Sequence, residues 1–150
     1  QSYSASTILN DGNVVVAWQG PDASGTGIYF RRLDSDMNPV DLTDVAANVT
    51  TTSAQENVSI SAMAAGGFVM VWTSYGQDGN REGVYARLFN ADGTAASGEI
   101  LVNETTNYIQ YQAQVAALSD AGFAVTWYDA NSPYDVWIRE FDATGNPLTG

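Results

Sequence analysis

The side chains in this sequence that could bind or react are aromatic and oxygen-bearing. Three tyrosines, Tyr75, Tyr128 and Tyr134, fall in stretches rich in Gly, Asn, Asp and Ser that read as loops. An aromatic face stacks on a sugar ring, and neighbouring Asn and Asp can read its hydroxyls, so these three are the expected ligand-binding residues. A second set, Asp34-x-Asp36-x-Asn38, spaces oxygen ligands at alternate positions, as calcium loops do. Its counterparts Asn90-x-Asp92-x-Thr94 and Asp142-x-Thr144-x-Asn146 are weaker versions. An EF-hand counted from Asp34 needs Gly at the sixth position and Glu at the twelfth, where this chain has Pro39 and Val45, so that loop is excluded. The same residues suit a hairpin turn closed by Asx hydrogen bonds, and Asp78-Gly79-Asn80 poses the same choice between turn and cation ligand. Asp34, Asp36, Asn38 and Asp78 are thus the candidate metal ligands, with calcium the candidate ion and no cofactor required.

Other chemistry is narrowed by composition. The chain has no Cys, His or Lys. Ser–His–acid and Cys–His nucleophiles, Schiff-base lysines and phosphate-binding loop lysines are therefore ruled out within it. A carboxylate pair of the glycosidase kind is the remaining catalytic option, and the unrepeated acids Glu56, Glu82, Asp129 and Glu140 show no evident pairing. The expectation is that the chain is not an enzyme. Seventeen acidic residues against five arginines give a formal charge of −12, which disfavours nucleic acid and anionic lipid. No run of about 18 apolar residues is present, so no membrane insertion is expected.

The elements that must position these residues repeat three times. Gly12 to Trp18, Gly66 to Trp72 and Ala121 to Trp127 carry one pattern, with the tryptophans 54 and 55 residues apart. Each unit reads as four short strands. The first is small-residue-rich: Ser4 to Leu9, Val58 to Ala64 and Ala113 to Leu118. A Gly- and Asn-rich turn leads to the Trp strand, whose nearly continuous apolar run predicts burial on both faces. Phe68, Met70 and Trp72 should share one face, Val69 and Val71 the other, with each Trp a core anchor. A variable loop then leads to Gly27 to Leu33, Gly83 to Phe89 and Asp135 to Phe141. The repeated Arg31, Arg87 and Arg139 are expected to be structural, pairing an acid and stacking on Tyr29, Tyr85 or Trp137. The fourth strand is Asp44 to Asn48 and Glu99 to Asn103, and the third unit stops before its own.

The chain is therefore predicted to be all-β, a single domain of three four-stranded antiparallel repeats at about 1–54, 55–109 and 110–150, the last strand missing. β-propeller-like blades are the first expectation and a β-trefoil the alternative, since a trefoil also uses three such repeats. An unpaired final strand, Val136 to Phe141, and uncovered outer faces predict that the working form is not a free monomer. Either neighbouring repeats continue the array, or copies self-associate, as in two sets of three blades.

These residues resemble a repeat of large secreted and cell-surface bacterial proteins, often ones carrying RTX-type, glycine- and aspartate-rich segments. That repeat reads G-G-F-V-V-x-W-x-S, then D-G, G-V-Y-x-R-x-F-x-x-x-G and a V-N strand. The second unit fits best, through Gly66 to Trp72, Ser74, Asp78-Gly79, Gly83 to Tyr85, Arg87, Phe89, Gly93 and Val102-Asn103. The first departs at Met37, where the turn glycine belongs, and the third at Asp135 and Trp137. The resemblance implies propeller-like folding and an extracellular or cell-surface setting, and carries over no catalytic residue. The expected function is a non-catalytic module for adhesion, for glycan or protein binding, or for spacing. A self-assembling structural subunit is the alternative, and a glycosidase fragment the third reading.

Overall fold

The computed structural model describes residues 2–130 and 135–148. Among them the chain forms eleven strands and no helix. Sheet 1 holds β1 (Ser2–Ile8), β2 (Val14–Pro21), β3 (Thr26–Leu33) and β4 (Val45–Ala46). Sheet 2 holds β5 (Gln55–Ala62), β6 (Phe68–Tyr75), β7 (Glu82–Phe89) and β8 (Ile100–Leu101). Sheet 3 holds β9 (Gln110–Ala117), β10 (Phe123–Asp129) and β11 (Asp135–Phe141). Each sheet is an antiparallel meander in chain order.

The sheets stack face to face, with sheet 2 in the middle. Phe68, Met70, Trp72, Tyr85 and Phe89 pack on Val15, Ala17, Ile28 and Phe30 of sheet 1. The opposite face of sheet 2, with Val69, Val71, Val84 and Ala86, packs on Phe123, Val125, Trp127 and Phe141 of sheet 3. The period-two split of β6 is thus realised, because alternate side chains of a strand leave on opposite faces. A tight aromatic group ties the first interface: Phe68 stacks on Phe89 at 5.1 Å, and Phe30 meets Phe68 edge-on at 5.4 Å.

Burial on both faces holds only for the middle sheet. In β2 and β10, buried residues alternate with half-buried ones, because sheets 1 and 3 are each covered on one side. Trp72 and Trp127 are buried core anchors, whereas Trp18 is half-buried on the outer face of sheet 1. The arginines also differ from expectation. Arg87 and Arg139 lie over Phe89 and Phe141, 5.4 and 5.6 Å from the ring centroids, rather than over Tyr85 and Trp137. Their guanidinium groups reach toward the preceding sheet, where Nη1 donates to the Ala47 and Val102 carbonyls at 2.7 and 2.8 Å. Acid pairing is found for Arg31 with Asp44 and Arg139 with Glu104.

The outermost strands are shorter than the sequence suggests, and a side chain explains why. The Ala47 N–H donates to the Ile28 carbonyl, and the Ile28 N–H donates in return to Asn48 Oδ1 at 2.7 Å. In sheet 2, Val102 N–H, the Val84 backbone and Asn103 Oδ1 repeat this arrangement, the last bond at 2.8 Å. The asparagine amide occupies a ladder position, so the strand ends while its partner stays satisfied.

Candidate functional site

Three backbone irregularities fall at one register in the three repeats. Tyr3, Asn57 and Gln112 have φ of 53°, 58° and 53°, the left-handed region that non-glycine residues seldom adopt. Each sits at a bulge where the first strand gains a residue against the second. The register slips between Ser2 and Ser4, between Glu56 and Ser59, and opposite Thr126 to Tyr128. In each case two residues face one tryptophan: Trp18, Trp72 or Trp127. A bulge re-aims the side chain at its extra residue, and the left-handed backbone there is costlier for Tyr or Gln than for Asn or glycine.

The first strands of the three repeats, β1, β5 and β9, are neighbours in space. They are held by hydroxyl bridges: the Ala62 N–H donates to Thr7 Oγ1, and Ala117 N–H to Ser61 Oγ, both at 3.1 Å. The three bulges consequently meet around one depression of about 420 Å³, lined by Tyr3, Ser4, Ala5, Asn57, Val58, Ser59, Gln112, Gln114 and Tyr128. Its polar groups are amides, hydroxyls and phenols. Ser59 Oγ donates to Gln114 Oε1 at 3.4 Å, and the Asn57 N–H is held by Gln19 Oε1 at 3.1 Å. Tyr128 leans on Tyr111, with ring centroids 6.0 Å apart.

The tyrosines expected in loops lie instead on strands, Tyr75 at the end of β6 and Tyr128 within β10, because ladder pairing with Glu82 and Tyr111 extends that far. Tyr128 lines this depression. Tyr75 lines an adjoining one of about 280 Å³ with Asn57, Thr73, Glu82, Ile109, Tyr111 and Ala130. Asn57 is common to both, so Tyr75 and Tyr128 belong to one end of the molecule. Burial, aided by the charges of Glu82 and Glu56, raises the Tyr75 pKa, so its phenol stays neutral and can donate a hydrogen bond. Tyr134 lies outside the described residues. Tyr3, Asn57 and Gln112 escaped the sequence reading, because a left-handed Tyr, Asn or Gln has no compositional mark. Their only signal was a common distance to each repeat's tryptophan.

The candidate metal ligands do not converge on a shared site. Asp34 Oδ1 accepts from the backbone N–H of Asp36 and Asn38 at 2.9 and 2.8 Å, and both Asp34 oxygens accept from the Asn38 amide. The Asn38 bonds hold the Asp34 carboxyl below its ordinary pKa. The carboxylate thus closes the hairpin turn, and Asp142 does the same through Thr144 and Asn146. Asp78 sits in a different loop. Its Oδ1 accepts from the Asn80 N–H at 3.0 Å, while its buried Oδ2 has no partner. Asp22, in the loop between β2 and β3, repeats this, with Oδ1 bonded to the Ser24 N–H and Oδ2 buried and unpartnered. Each carboxylate lies over a glycine, Gly83 or Gly27, where any Cβ would crowd it. Among the described residues no group of three or more acidic side chains converges as a metal cage.

No protein-family model and no curated protein sequence matches this chain. Solved structures share its fold. An endo-arabinase from Bacteroides thetaiotaomicron superposes with a TM-score of 0.60 at 13% identity, over 98% of this chain and 55% of its own. A thermostable family-43 glycoside hydrolase gives 0.59 at 11% identity, over 98% and 57%. The chain thus spans a little over half the length of these hydrolases. A fucose lectin from Kordia zhangzhouensis, solved with methyl-fucoside, gives 0.53 at 11% identity, over 99% of this chain and 97% of the lectin. The chain is therefore an all-β protein of three antiparallel sheets whose fold is shared with glycoside hydrolases and a lectin.

Proposed function

We propose that this chain is a non-catalytic, glycan-binding module of an extracellular or cell-surface protein, built of three propeller-type blades. The observation that carries the reading is the meeting of three left-handed bulges, Tyr3, Asn57 and Gln112, at one depression beside Tyr128. Its lining combines flat phenol faces with amides and hydroxyls, the combination that reads a sugar's apolar face and hydroxyl edge together. Neutral amides and hydroxyls bind neutral hydroxyls without having to desolvate a charge. Fold likeness to a lectin and to glycoside hydrolases agrees with this reading. Closure of every sheet within its own repeat favours blades over a trefoil.

A labelled preparation on a glycan array tests it. Selective retention of one glycan class, with no released sugar on long incubation, is the expected result. Tyr128→Ala should weaken affinity for the best glycan about tenfold, the scale of one lost stacking contact. Unchanged affinity after replacing Tyr3, Asn57, Gln112 and Tyr128 together would place binding elsewhere, and sugar release would make the chain an enzyme.

A further inference from the structure

Sheets 2 and 3 each present one face to the sheet before them, and that face follows a fixed pattern. In sheet 2 it pairs Trp72 with Tyr85, Met70 with Arg87 and Phe68 with Phe89 across the ladder. In sheet 3 the pairs are Trp127 with Trp137, Val125 with Arg139 and Phe123 with Phe141. Sheet 1 repeats it with Trp18 opposite Tyr29, Val16 opposite Arg31 and Val14 opposite Leu33. Among the described residues no sheet covers it, and all six side chains are half-buried.

Its charged groups pair within sheet 1 rather than across to another sheet. Arg87 and Arg139 donate to a carbonyl of the preceding sheet, whereas Arg31 turns back to Asp44 at 2.6 Å with 38% of its side chain exposed. Asp44 occupies the position of Glu99, whose carboxylate reaches across to the Val49 and Thr50 N–H groups at 2.6 and 3.1 Å. At the far end, Val136 and Ile138 of sheet 3 are 66% and 59% exposed. Their counterparts in sheet 2, Val84 and Ala86, are fully buried in the interface with sheet 3.

We infer that a second copy of this chain seats the outer face of its sheet 3, through Val136 and Ile138, on the open face of sheet 1 around Trp18 and Tyr29. The contact repeats the one that already joins sheets 1 and 2. Because donor and acceptor faces differ, it is a head-to-tail contact, and two copies related by a twofold axis make it twice and close a ring of six sheets. Such a ring gathers the bulge residues of both copies, Tyr3, Asn57 and Gln112, around one axis. The inference does not depend on which ligand the chain binds.

Sedimentation velocity over a wide concentration range is the first measurement. A dimer is expected, strengthened by added salt, because each copy carries a charge of −12 and the attraction is apolar. A monomer at every concentration and salt level overturns the inference. Trp18→Glu and Val136→Asp are then made separately, and each should weaken dimerisation about tenfold or more, as loss of a central contact does. Val136 is exposed, so its variant should keep the parent's circular dichroism and melting, which guards against a folding failure. Mixing the two variants restores one intact head-to-tail contact, so a heterodimer should form where neither variant dimerises alone. Failure of the mixture to associate, or loss of dimer with Trp18→Glu but not with Val136→Asp, would indicate a like-to-like contact and overturn the proposal.

Discussion

At the scale of single residues, positive φ separates positions that need a glycine from positions that keep something else. Turn glycines Gly93 and Gly145 have φ of 81° and 88°, and Met37 takes the same place in the first repeat at 65°. A side chain there meets the following carbonyl, so Met37→Gly should raise stability, by about 0.5–1 kcal/mol after the added chain entropy of glycine is deducted. Chemical denaturation with an unchanged m-value would check it. At Tyr3, Asn57 and Gln112 glycine should likewise stabilise by a similar amount, but there at the expense of ligand capture. Destabilisation by glycine at all three would mean that the bulges are held by packing alone.

The Arg32–Asp41 ion pair also belongs to this scale. Its side chains are 13% exposed each, and Arg32 Nη1 donates to the Ala91 carbonyl, tying sheet 1 to sheet 2. Burial pushes the Asp41 pKa up, but hydrogen bonds from the Arg32 side chain and backbone outweigh it, leaving it below 3.8. A carboxyl depressed in the folded state adds stability that is present above its unfolded pKa and lost as pH falls through the folded value. The melting temperature should therefore drop as pH falls below about 4, the ordinary carboxyl range. Asp41→Asn should flatten part of that slope and cost about 2 kcal/mol at neutral pH. An acid limb identical in the variant would dismiss the pair as its source.

At the scale of elements, the outer edge of each sheet depends on one asparagine. Asn103 accepts the Val84 N–H, donates to the Thr105 carbonyl at 2.9 Å and contacts Gln110 Oε1 at 3.4 Å, joining sheet 2 to the start of β9. Asn103→Ala leaves a buried N–H unpaired and should cost about 2 kcal/mol, with Asn48→Ala similar in sheet 1. Urea unfolding of both variants decides it, and a cost near zero would mean that water replaces the amide. Close approach matters as much. Gly67 has φ of 76°, and a Cβ there would collide with the Phe89 carbonyl, so Gly67→Ala should cost about 3 kcal/mol or prevent folding. At alkaline pH the interface between sheets 1 and 2 meets another limit. Burial first, then the charges of Asp78 and Glu99, push the Tyr85 phenol up to about 12. Its pKa is raised on folding, so its contribution is complete below the unfolded value near 10 and lost as pH climbs to 12. Unfolding in that window, delayed in Tyr85→Phe, is the expected outcome.

At the scale of the whole molecule, stacking decides burial. The same strand pattern is buried twice over in β6 and once in β2 and β10, because only sheet 2 has neighbours on both sides. Charge acts at this scale as well. Seventeen carboxylates against five guanidinium groups repel one another across a small surface, so added salt should raise the melting temperature by screening. A melting temperature that falls with salt would mean that the ion pairs outweigh the net repulsion. No helix among the described residues is long and apolar enough to cross a membrane.

Local rules carried a large part of this protein. Period-two alternation, turn glycines and the tryptophan spacing already placed three antiparallel meanders, because those signals depend on neighbours in sequence. They marked the Asp34 turn as a hairpin competing with a cation loop, but they read Tyr75 and Tyr128 as loop residues, whereas pairing carries β6 and β10 through both. What they could not place was the depression. Tyr3, Asn57 and Gln112 lie about a repeat apart in the chain and meet only when β1, β5 and β9 pack side by side. Their left-handed backbones come from the register slip against Trp18, Trp72 and Trp127, a property of strand pairing rather than of residue type. Arginine partners were likewise decided by packing, since Arg87 and Arg139 reach carbonyls 40 and 37 residues away that become neighbours only in the stack.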